Sequence, residues 1–242
     1  MRTFVCGDLH GNFKALKEVL SKASFDPEND TLITLGDYID GGPHIEVQEL
    51  LEFLLDLPNW IGVIGNHDYW MLETIEAGWE SIMDDEWLVH GGEHTLKSLG
   101  VEYEQQDDRY KLLNRPSEKV FEFFKRLEYY HIDRKSNLLV HAGYDHIKND
   151  ITSHNFESLD ILYCTIWDRE FWENAHSFKT DIYKNVFIGH SWSLEYPMLR
   201  GQVWNLDSGA GHYGKLSLME IDSTRIWKSS RTATLYNDFG LR

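Results

Sequence analysis

Short runs of apolar residues alternate with amphipathic stretches along much of the chain. The apolar runs cover residues 3–6, 31–35, 61–64, 137–140 and 186–188. Their length and β-branched content predict strands that are buried on both faces. Two stretches between them have the spacing of amphipathic helices: Phe13, Leu16, Val19 and Leu20, then Val47, Leu50, Leu51, Leu54 and Leu55. Strands that alternate with helices predict parallel βαβ units and therefore an α/β fold.

Two regions depart from this alternation. Residues 69–127 are acidic and rich in Trp, and the stripe Val120, Phe121, Phe124 and Leu127 favours a helical insertion packed beside the sheet. The apolar runs at 203–206, 215–221 and 226–227 are separated by turns and predict antiparallel strands of a second sheet layer. No repeat or Pro/Gly/Ser-rich linker divides the chain, so we expect residues 1–242 to form one domain.

The composition excludes several classes of protein. The chain carries 23 Lys and Arg against 40 Asp and Glu, a formal net charge of −17, which argues against nucleic acid as a partner. Two cysteines are too few for a disulfide framework. No stretch approaches the roughly 18 apolar residues of a membrane span, and residues 1–8 lack the apolar core of a signal peptide. We therefore expect a cytoplasmic protein with no membrane partner.

Five short polar blocks follow directly on the predicted strands. They read GDLHG at 7–11, GDYID at 36–40, GNHD at 65–68, HAG at 141–143 and GH at 189–190. Open α/β sheets place their chemistry at the carboxyl ends of their strands. Asp, Asn and His supply the oxygen and nitrogen ligands that borderline divalent metals prefer. The blocks together predict a two-metal site that hydrolyses phosphoesters.

The residue types within the blocks suggest separate roles. Asp8 and His10 can reach one metal from the same tight turn, and Asp37 can bridge two metals with its two oxygens. Asn66, His141 and His190 offer neutral ligands to the second metal. Two divalent cations, two carboxylates and a bridging hydroxide leave a centre of about +1, which can attract phosphate to an acidic protein.

The leaving oxygen of such a reaction needs a proton. His67 directly follows Asn66 and is a candidate general acid, because the pKa of imidazole lies near the working pH. Asp40 is placed to hold the other ring nitrogen of His67, which fixes its tautomer.

These blocks closely resemble those of the phosphoprotein-phosphatase branch of the calcineurin-like metallophosphoesterases, which carries GDxHG, GDxxDRG, GNH(E/D), HAG and GH in this order. Residues 87–100 resemble the W-x-x-N-G-G-x-x-T-L-x-x-x-G stretch of bacterial and phage serine/threonine phosphatases. Residues 166–169 resemble their W-x-R segment, and residues 205–210 their N-L-D-T-G-A segment. The resemblance implies the metallophosphatase fold, a four-layer α/β/β/α sandwich of two mixed β-sheets flanked by helices.

The resemblance also implies a metal-dependent phosphatase with two divalent ions, most commonly Mn²⁺, with Fe or Zn as alternatives. It assigns Asp8, His10 and Asp37 to the first metal and Asp37, Asn66, His141 and His190 to the second. His67 and Asp40 become the catalytic acid pair, and Asn66 and Arg169 are expected to contact the substrate. The leading substrate is a phosphorylated serine or threonine of a protein, or a small phosphoester. A symmetrical diadenosine tetraphosphatase or other nucleotide phosphohydrolase shares every motif, and a non-catalytic protein-binding scaffold is a third alternative.

One position departs from the family pattern. The family has Asp-Arg-Gly where this chain has Asp40-Gly41-Gly42, and that arginine clamps the substrate phosphate in a bidentate manner. We expect the grip on phosphate to be weaker or rebuilt, and on this hypothesis Gly41→Arg improves catalysis. His90 likewise stands where the relatives have Asn.

Overall fold

The computed structural model describes residues 1–79, 81–145, 150–193 and 196–237, which contain thirteen strands. In chain order the strands are β1 (Thr3–Cys6), β2 (Thr31–Thr34), β3 (Trp60–Gly62), β4 (Ile82–Asp84), β5 (Tyr103–Gln106), β6 (Arg109–Leu112), β7 (Tyr130–Ile132), β8 (Leu138–Val140), β9 (Val186–Ile188), β10 (Met198–Arg200), β11 (Val203–Asn205), β12 (Ser217–Glu220) and β13 (Arg225–Lys228). The α-helices of the same residues are α1 (Phe13–Lys22), α2 (Val47–Asp56), α3 (Asn66–Ala77), α4 (Glu93–Ser98), α5 (Glu118–Lys125), α6 (Leu159–Ile166), α7 (Glu170–Glu173) and α8 (Thr232–Tyr236). The five predicted buried strands correspond to β1, β2, β3, β8 and β9, and the two predicted amphipathic helices to α1 and α2.

The strands of the main body form two mixed sheets. The first sheet has the order β13-β12-β1-β2-β3, and the second has the order β10-β11-β9-β8-β7. β1, β2 and β3 run parallel to one another, and so do β8, β9 and β11. The predicted parallel pairing is therefore confirmed, although the five strands divide between the two sheets.

The prediction that the C-terminal strands make up the second sheet is wrong for two of the three. β12 pairs antiparallel with β1, and β13 pairs antiparallel with β12, so both extend the first sheet. β12 thereby covers the backbone groups along an edge of β1 that would otherwise lack partners. The remaining strand, β11, does lie in the second sheet, where it pairs antiparallel with β10, as predicted, and parallel with β9.

Alternation of side chains along the strands explains why the two sheets stack. Phe4 of β1 packs in the core cluster that contains the buried faces of α1 and α2, whereas its neighbour Val5 shares a cluster with Phe187 of β9. On β9, Val186 and Ile188 point the other way, toward aromatic side chains that include those of α7. Successive residues of a strand face opposite sides of a sheet, so each sheet has one face on the other sheet and one face on a helical layer. The predicted α/β/β/α sandwich is confirmed.

The insertion at residues 69–127 contains more than helices. It includes part of α3, all of α4 and α5, and a three-stranded sheet in the order β4-β6-β5 that the sequence analysis did not predict. The predicted stripe of α5 is buried at Val120, Phe121 and Phe124. Trp79 and Trp87 are also buried in the core of this region. That residues 1–242 form one domain stays a prediction.

Among the described residues, no helix is long and apolar enough to cross a membrane.

We expect the contact between the two sheets to dominate stability. Phe187 is 1% exposed between the sheets, so Phe187→Ala leaves a cavity there. The free energy of unfolding should fall by about 3–5 kcal/mol, measured by denaturant titration at fixed metal concentration. Leu199→Ala is the matched control, because Leu199 belongs to the same sheet but is 50% exposed, and it should change stability by less than about 1 kcal/mol. Equal losses in the two variants would contradict the packing described here.

Candidate active site

The five polar blocks converge at the carboxyl ends of β1, β2, β3, β8 and β9, and four of them line one cleft. The cleft has a volume of about 1080 Å³ and also receives side chains of α3, α4 and α7. Eight of the nine predicted site residues line it: Asp8, His10, Asp37, Asp40, Asn66, His67, Arg169 and His190. The ninth, His141, is fully buried, and its Nε2 lies 3.1 Å from Oδ1 of Asn66.

Asp37 belongs to two groups of potential metal ligands. The ligand atoms of His10, Asp37 and His67 lie within 4.8 Å of one another, and so do those of Asp37, His141 and His190. Asp8 is in neither group; its Oδ2 accepts the backbone N–H of His190 at 2.9 Å. Asp37 is thus placed where one carboxylate can serve two adjacent cations, and its bridging role stays a prediction.

Several residues of the cleft hold strained backbone conformations. His10, Asp37, Asp40 and His190 have φ values of 45°, 51°, 64° and 61°, in the left-handed region that non-glycine residues rarely adopt. Each such conformation costs about 1–3 kcal/mol and persists only when neighbouring contacts enforce it. Among the described residues, ten non-glycine residues have positive φ, and four of them are predicted site residues whose conformations must be held by neighbouring contacts.

The carboxylate of Asp68 supplies much of the enforcing contact. It lies fully buried in the first turn of α3 and accepts the backbone N–H groups of Asp37, Tyr38 and Gly65 at 2.7, 2.8 and 2.8 Å. These bonds tie the loop after β2 to the loop after β3. The sequence analysis assigned Asp68 no role, although an acidic residue three positions after a helix N-cap is a recognisable signal.

Hydrogen bonds to backbone carbonyls orient the three candidate ligand imidazoles. Nδ1 of His10 donates to the carbonyl of Ile39 at 3.0 Å, and Nδ1 of His141 donates to that of Leu35 at 2.6 Å, so that each Nε2 faces Asp37. His190 is turned the other way, since its Nε2 donates to the carbonyl of Trp167 at 2.9 Å. Such second contacts select the tautomer that a metal requires.

The same imidazoles are held neutral. Burial lowers the pKa of His10 and of His190 to about 3 in each case, and it also lowers the pKa of His141. Neutral imidazole is the form that binds metal. The three rings are therefore ready to act as ligands at any pH near neutrality.

The buried carboxylates are the groups whose negative charge a bound cation would compensate. Burial, together with the charges of Asp207 and Asp37, raises the pKa of Asp8 well above its usual range. Burial also opposes ionisation of Asp37, but the surrounding histidines, of which His67 is protonated, outweigh it and lower its pKa. Buried carboxylates that repel one another beside neutral imidazoles form a donor set that fits divalent cations.

Asp207 adds a further buried carboxylate that was not among the predicted site residues. Its side chain lines the cleft and accepts the N–H of Gly209 at 2.9 Å. Burial and the charge of Asp37 raise the pKa of Asp207 to about 7. The N-L-D segment in the sequence contained this residue, but only its position in the fold reveals that it faces the same cleft.

His67 and Asp40 form the predicted pair. Nδ1 of His67 donates to Oδ2 of Asp40 at 3.0 Å, and the side chain of Asp40 has no exposed surface. Burial lowers the pKa of His67, but the charges of Asp37 and Asp40 outweigh it and raise the pKa to about 9. His67 is thus protonated near neutral pH and lines the cleft as a potential proton donor.

Arg169 also reaches the cleft, where Nη1 donates to the carbonyl of His190 at 2.9 Å. Gly41, the position of the missing family arginine, has no space for a side chain. A Cβ atom there would lie 2.0 Å from the backbone oxygen of His10 and 2.5 Å from the side chain of Ile45. A side chain at Gly41 therefore requires the loop to shift, and Gly41→Arg cannot simply restore a clamp.

The walls of the cleft combine aromatic and acidic side chains. Trp70 stacks on His90 with ring centroids 5.1 Å apart and planes inclined by 7°, and it meets Trp167 edge to face at 6.4 Å. Four acidic residues line the same walls: Glu86, Glu93, Asp168 and Glu170. Among the described lining residues, Arg169 is the one arginine or lysine.

Comparison with known proteins identifies the family that the motifs indicated. The family model described as calcineurin-like phosphoesterase matches residues 1–210. Serine/threonine-protein phosphatase 1 of Salmonella typhimurium is 26% identical over 90% of this chain and 91% of its own length. The symmetrical bis(5′-nucleosyl)-tetraphosphatase of Pseudomonas fluorescens is 30% identical over 59% of this chain and 43% of its own length.

Solved structures show the same architecture at low sequence identity. A metallophosphoesterase from Sphaerobacter thermophilus superposes with a TM-score of 0.57 and 18% identity, covering 100% of this chain and 95% of its own. This likeness confirms the fold.

The space around Gly41 leads to a prediction. A side chain there must displace the carbonyl of His10, so both Gly41→Ala and Gly41→Arg should weaken Mn²⁺ binding by about 10-fold or more and lower the melting temperature. Calorimetric titration of metal into the metal-free variants measures the first effect. If Gly41→Ala binds metal normally while Gly41→Arg gains kcat/KM, the earlier hypothesis of a restorable clamp is correct and the steric argument is wrong.

The raised pKa of Asp207 leads to a pH-dependent prediction for the metal-free protein. The folded state holds a proton on Asp207 up to a pKa of about 7, whereas the unfolded chain releases it near pH 4. The stability that this proton contributes is present below pH 4 and is lost as the pH rises through about 7. The side chain of Asn does not titrate. The difference in unfolding free energy between Asp207→Asn and the wild type should therefore shift in favour of the variant by about 2–4 kcal/mol between pH 4 and pH 8. Denaturant titrations in EDTA measure the difference, and a gap that stays constant with pH would contradict the assignment.

Proposed function

The chain belongs to the calcineurin-like phosphoesterase family, and from that premise we propose that it is a dinuclear metal-dependent phosphatase that hydrolyses phosphomonoesters, most notably phosphoserine and phosphothreonine of proteins. The observation that carries the proposal is Asp37, which belongs to both groups of ligand atoms next to the His67–Asp40 pair. A shared carboxylate beside a protonated imidazole provides both functions that phosphoester hydrolysis needs, a place for cations and a proton for the leaving oxygen.

The candidate ligands divide between two cations. Asp8, His10 and Asp37 would hold the first, and Asp37, Asn66, His141 and His190 the second. Bound divalent ions would activate water near neutral pH and neutralise charge on the phosphoryl group. The mixed oxygen and nitrogen donors suit Mn²⁺, Fe or Zn, and we propose Mn²⁺ as the first metal to test.

The protein's own side chains then carry out the remaining steps. Arg169, exposed at the cleft, donates to phosphoryl oxygens, and the amide of Asn66 contacts the substrate beside it. His67 donates a proton to the leaving oxygen from Nε2, because its Nδ1–H is engaged by Asp40. Asp40 keeps that ring oriented and stabilises its charge.

The charge of the cleft favours a phosphoprotein over a dinucleotide. Four acidic side chains and a single arginine line the described walls, so a chain of four phosphates would meet repulsion beyond the metal centre. A phosphorylated side chain brings its negative charge to one point only. The longer shared span with the Salmonella phosphatase, 91% of that protein against 43% of the tetraphosphatase, supports the same choice.

One observation supports the nucleotide alternative. The aromatic pair Trp70 and Trp167 lines the cleft and offers surfaces on which a base can stack. His90 covers one face of Trp70, which reduces the surface available to a base. The scaffold alternative has no comparable support, since every candidate ligand and His67 are present at the site.

A substrate panel tests the proposal. Purified protein with Mn²⁺ is assayed on p-nitrophenyl phosphate, a phosphothreonine peptide and diadenosine tetraphosphate, and we expect kcat/KM to be highest for the peptide. His67→Asn should lower kcat by about 100-fold or more while the metal content is kept, because only the proton donor is lost. Asp37→Asn should abolish metal binding as well.

His131→Asn serves as the control for the imidazole change. His131 lies on β7 and pairs with Glu128, away from the residues that line the cleft, so the variant should retain full activity. Turnover that persists in EDTA, or the highest kcat/KM on diadenosine tetraphosphate, would overturn the proposed function or its substrate, respectively.

A further inference from the structure

Asp40 is held by more than its histidine. Oδ2 of Asp40 accepts Nδ1–H of His67 at 3.0 Å and Nε1–H of Trp87 at 2.8 Å, and Oδ1 accepts the hydroxyl of Thr95 at 2.6 Å. The backbone N–H of Asp40 donates back to the oxygen of Thr95 at 2.9 Å. A carboxylate with no exposed surface thus has donors on both of its oxygens, and two of the three come from one segment of the insertion.

The backbone of that segment also packs closely against Asp40 and against the indole of Trp87. Gly91 has a φ of 108°, and a Cβ there would lie 3.0 Å from the backbone oxygen of Asp40 and 3.2 Å from its Cβ. A Cβ on Gly92 would lie 2.8 Å from the indole ring of Trp87. Both glycines therefore allow close approach, one to Asp40 and one to the indole that binds it. We call Trp87, Gly91, Gly92 and Thr95 together the Asp40 clamp.

We propose that the Asp40 clamp is a positioning device for catalysis: it fixes the plane of the Asp40 carboxylate and thereby aims the imidazole of His67 at the leaving oxygen. The inference rests on the proton-donor role proposed above for His67. A carboxylate bound only through His67 can rotate about its Cβ–Cγ bond, whereas donors on both oxygens leave one orientation. The donor ring must in turn lie within hydrogen-bond reach of the departing oxygen, so a small rotation of its partner reduces the rate.

The contrast with another tryptophan of the insertion separates this role from ordinary packing. Trp79 is buried to a similar degree, and its Nε1–H donates to the backbone oxygen of Asn114 at 2.7 Å. Trp79 contacts neither Asp40 nor a lining residue of the cleft in any described hydrogen bond or ring contact. Both indoles satisfy the same rule for buried donors, but only that of Trp87 is directed at the catalytic pair.

The test measures how each variant depends on the leaving group. Trp87→Phe and Thr95→Val each remove one donor to Asp40 and keep most of the side-chain volume. Nitrophenolate departs readily without protonation, whereas departure of phenolate depends more strongly on a proton donor. A misaligned donor should therefore reduce turnover of phenyl phosphate more than that of p-nitrophenyl phosphate. We expect kcat to fall about 10-fold on phenyl phosphate and less than 3-fold on p-nitrophenyl phosphate, with KM and metal content unchanged.

Matched variants control for loss of structure. Trp79→Phe removes a buried indole donor elsewhere in the insertion and should leave the ratio of the two kcat values at the wild-type level. Thr95→Ser keeps the hydroxyl and should restore the ratio that Thr95→Val disturbs. If Trp87→Phe does not fold, the comparison of Thr95→Val with Thr95→Ser decides the question alone. Equal losses on the two substrates, in either clamp variant, would overturn the inference.

His67→Asn separates this inference from the proposed function. Introduced alone, it should shift the ratio strongly, and adding Thr95→Val to it should cause no further shift, because both changes act through one proton donor. If His67→Asn leaves the ratio unchanged, the proton-donor role fails and the clamp inference fails with it. If His67→Asn shifts the ratio and the clamp variants do not, only the clamp inference is wrong.

Discussion

The buried carboxylate of Asp37 is the constraint around which the rest of the site is organised. Oδ1 lies 3.5 Å from Nε2 of His141, and Oδ2 lies 3.6 Å from Nε2 of His10, so each oxygen faces an imidazole from a different sheet. The backbone of Asp37 is engaged as well: its carbonyl accepts the N–H of His10 at 2.6 Å, and its N–H donates to Asp68 at 2.7 Å. A charge this deep is tolerable only with close compensation. Its surroundings therefore restrict where the loops after β1, β2, β3 and β8 can run.

The sequence was informative where local pattern and tertiary position coincide. Strands such as β1 and β9 are buried on both faces and appear as continuous apolar runs, and their ends coincide with the polar blocks. Strand β5 of the insertion is different, since three of its four residues are exposed and polar, so no alternation marks it. The sheet to which β12 belongs could not be predicted from the local sequence pattern either. The same alternation of side chains suits either sheet, and pairing with β1 is decided by contacts more than 200 residues away in the chain.

The site shows the same division between local and distant causes. The candidate ligands lie in short blocks with distinctive residue types, which is why nine predicted residues come together. The residues that hold them carry no such signature. Thr95 reaches Asp40 across 55 positions of sequence and Asp68 reaches Asp37 across 31, and a lone Thr or Asp has many ordinary uses. Gly41 shows that a recognisable motif can also be misread when the surrounding fold is not known. A comparison of motifs presents it as a lost arginine, whereas the nearby carbonyl of His10 shows a loop that leaves no room for a side chain.

The net negative charge of the protein is compatible with the proposed chemistry of the cleft, because the two act on a substrate over different distances. A net charge of −17 repels a phosphorylated substrate at long distance, but salt screens that repulsion beyond about 8 Å at physiological ionic strength. Inside the cleft, divalent cations held by the donor set would concentrate positive charge at one point, while Glu86, Glu93 and Glu170 keep the walls negative. Only the phosphoryl group placed directly at the metal centre would gain favourable electrostatic interaction there. Each further negative charge on the ligand would lie against an acidic wall. A basic residue of the substrate next to the phosphorylated side chain would be attracted by the same acidic walls. Under the proposed function, the charge distribution of the cleft would favour a single phosphate on a neutral or basic peptide over a polyphosphate chain, by an effect on binding and not on the proposed proton transfer from His67.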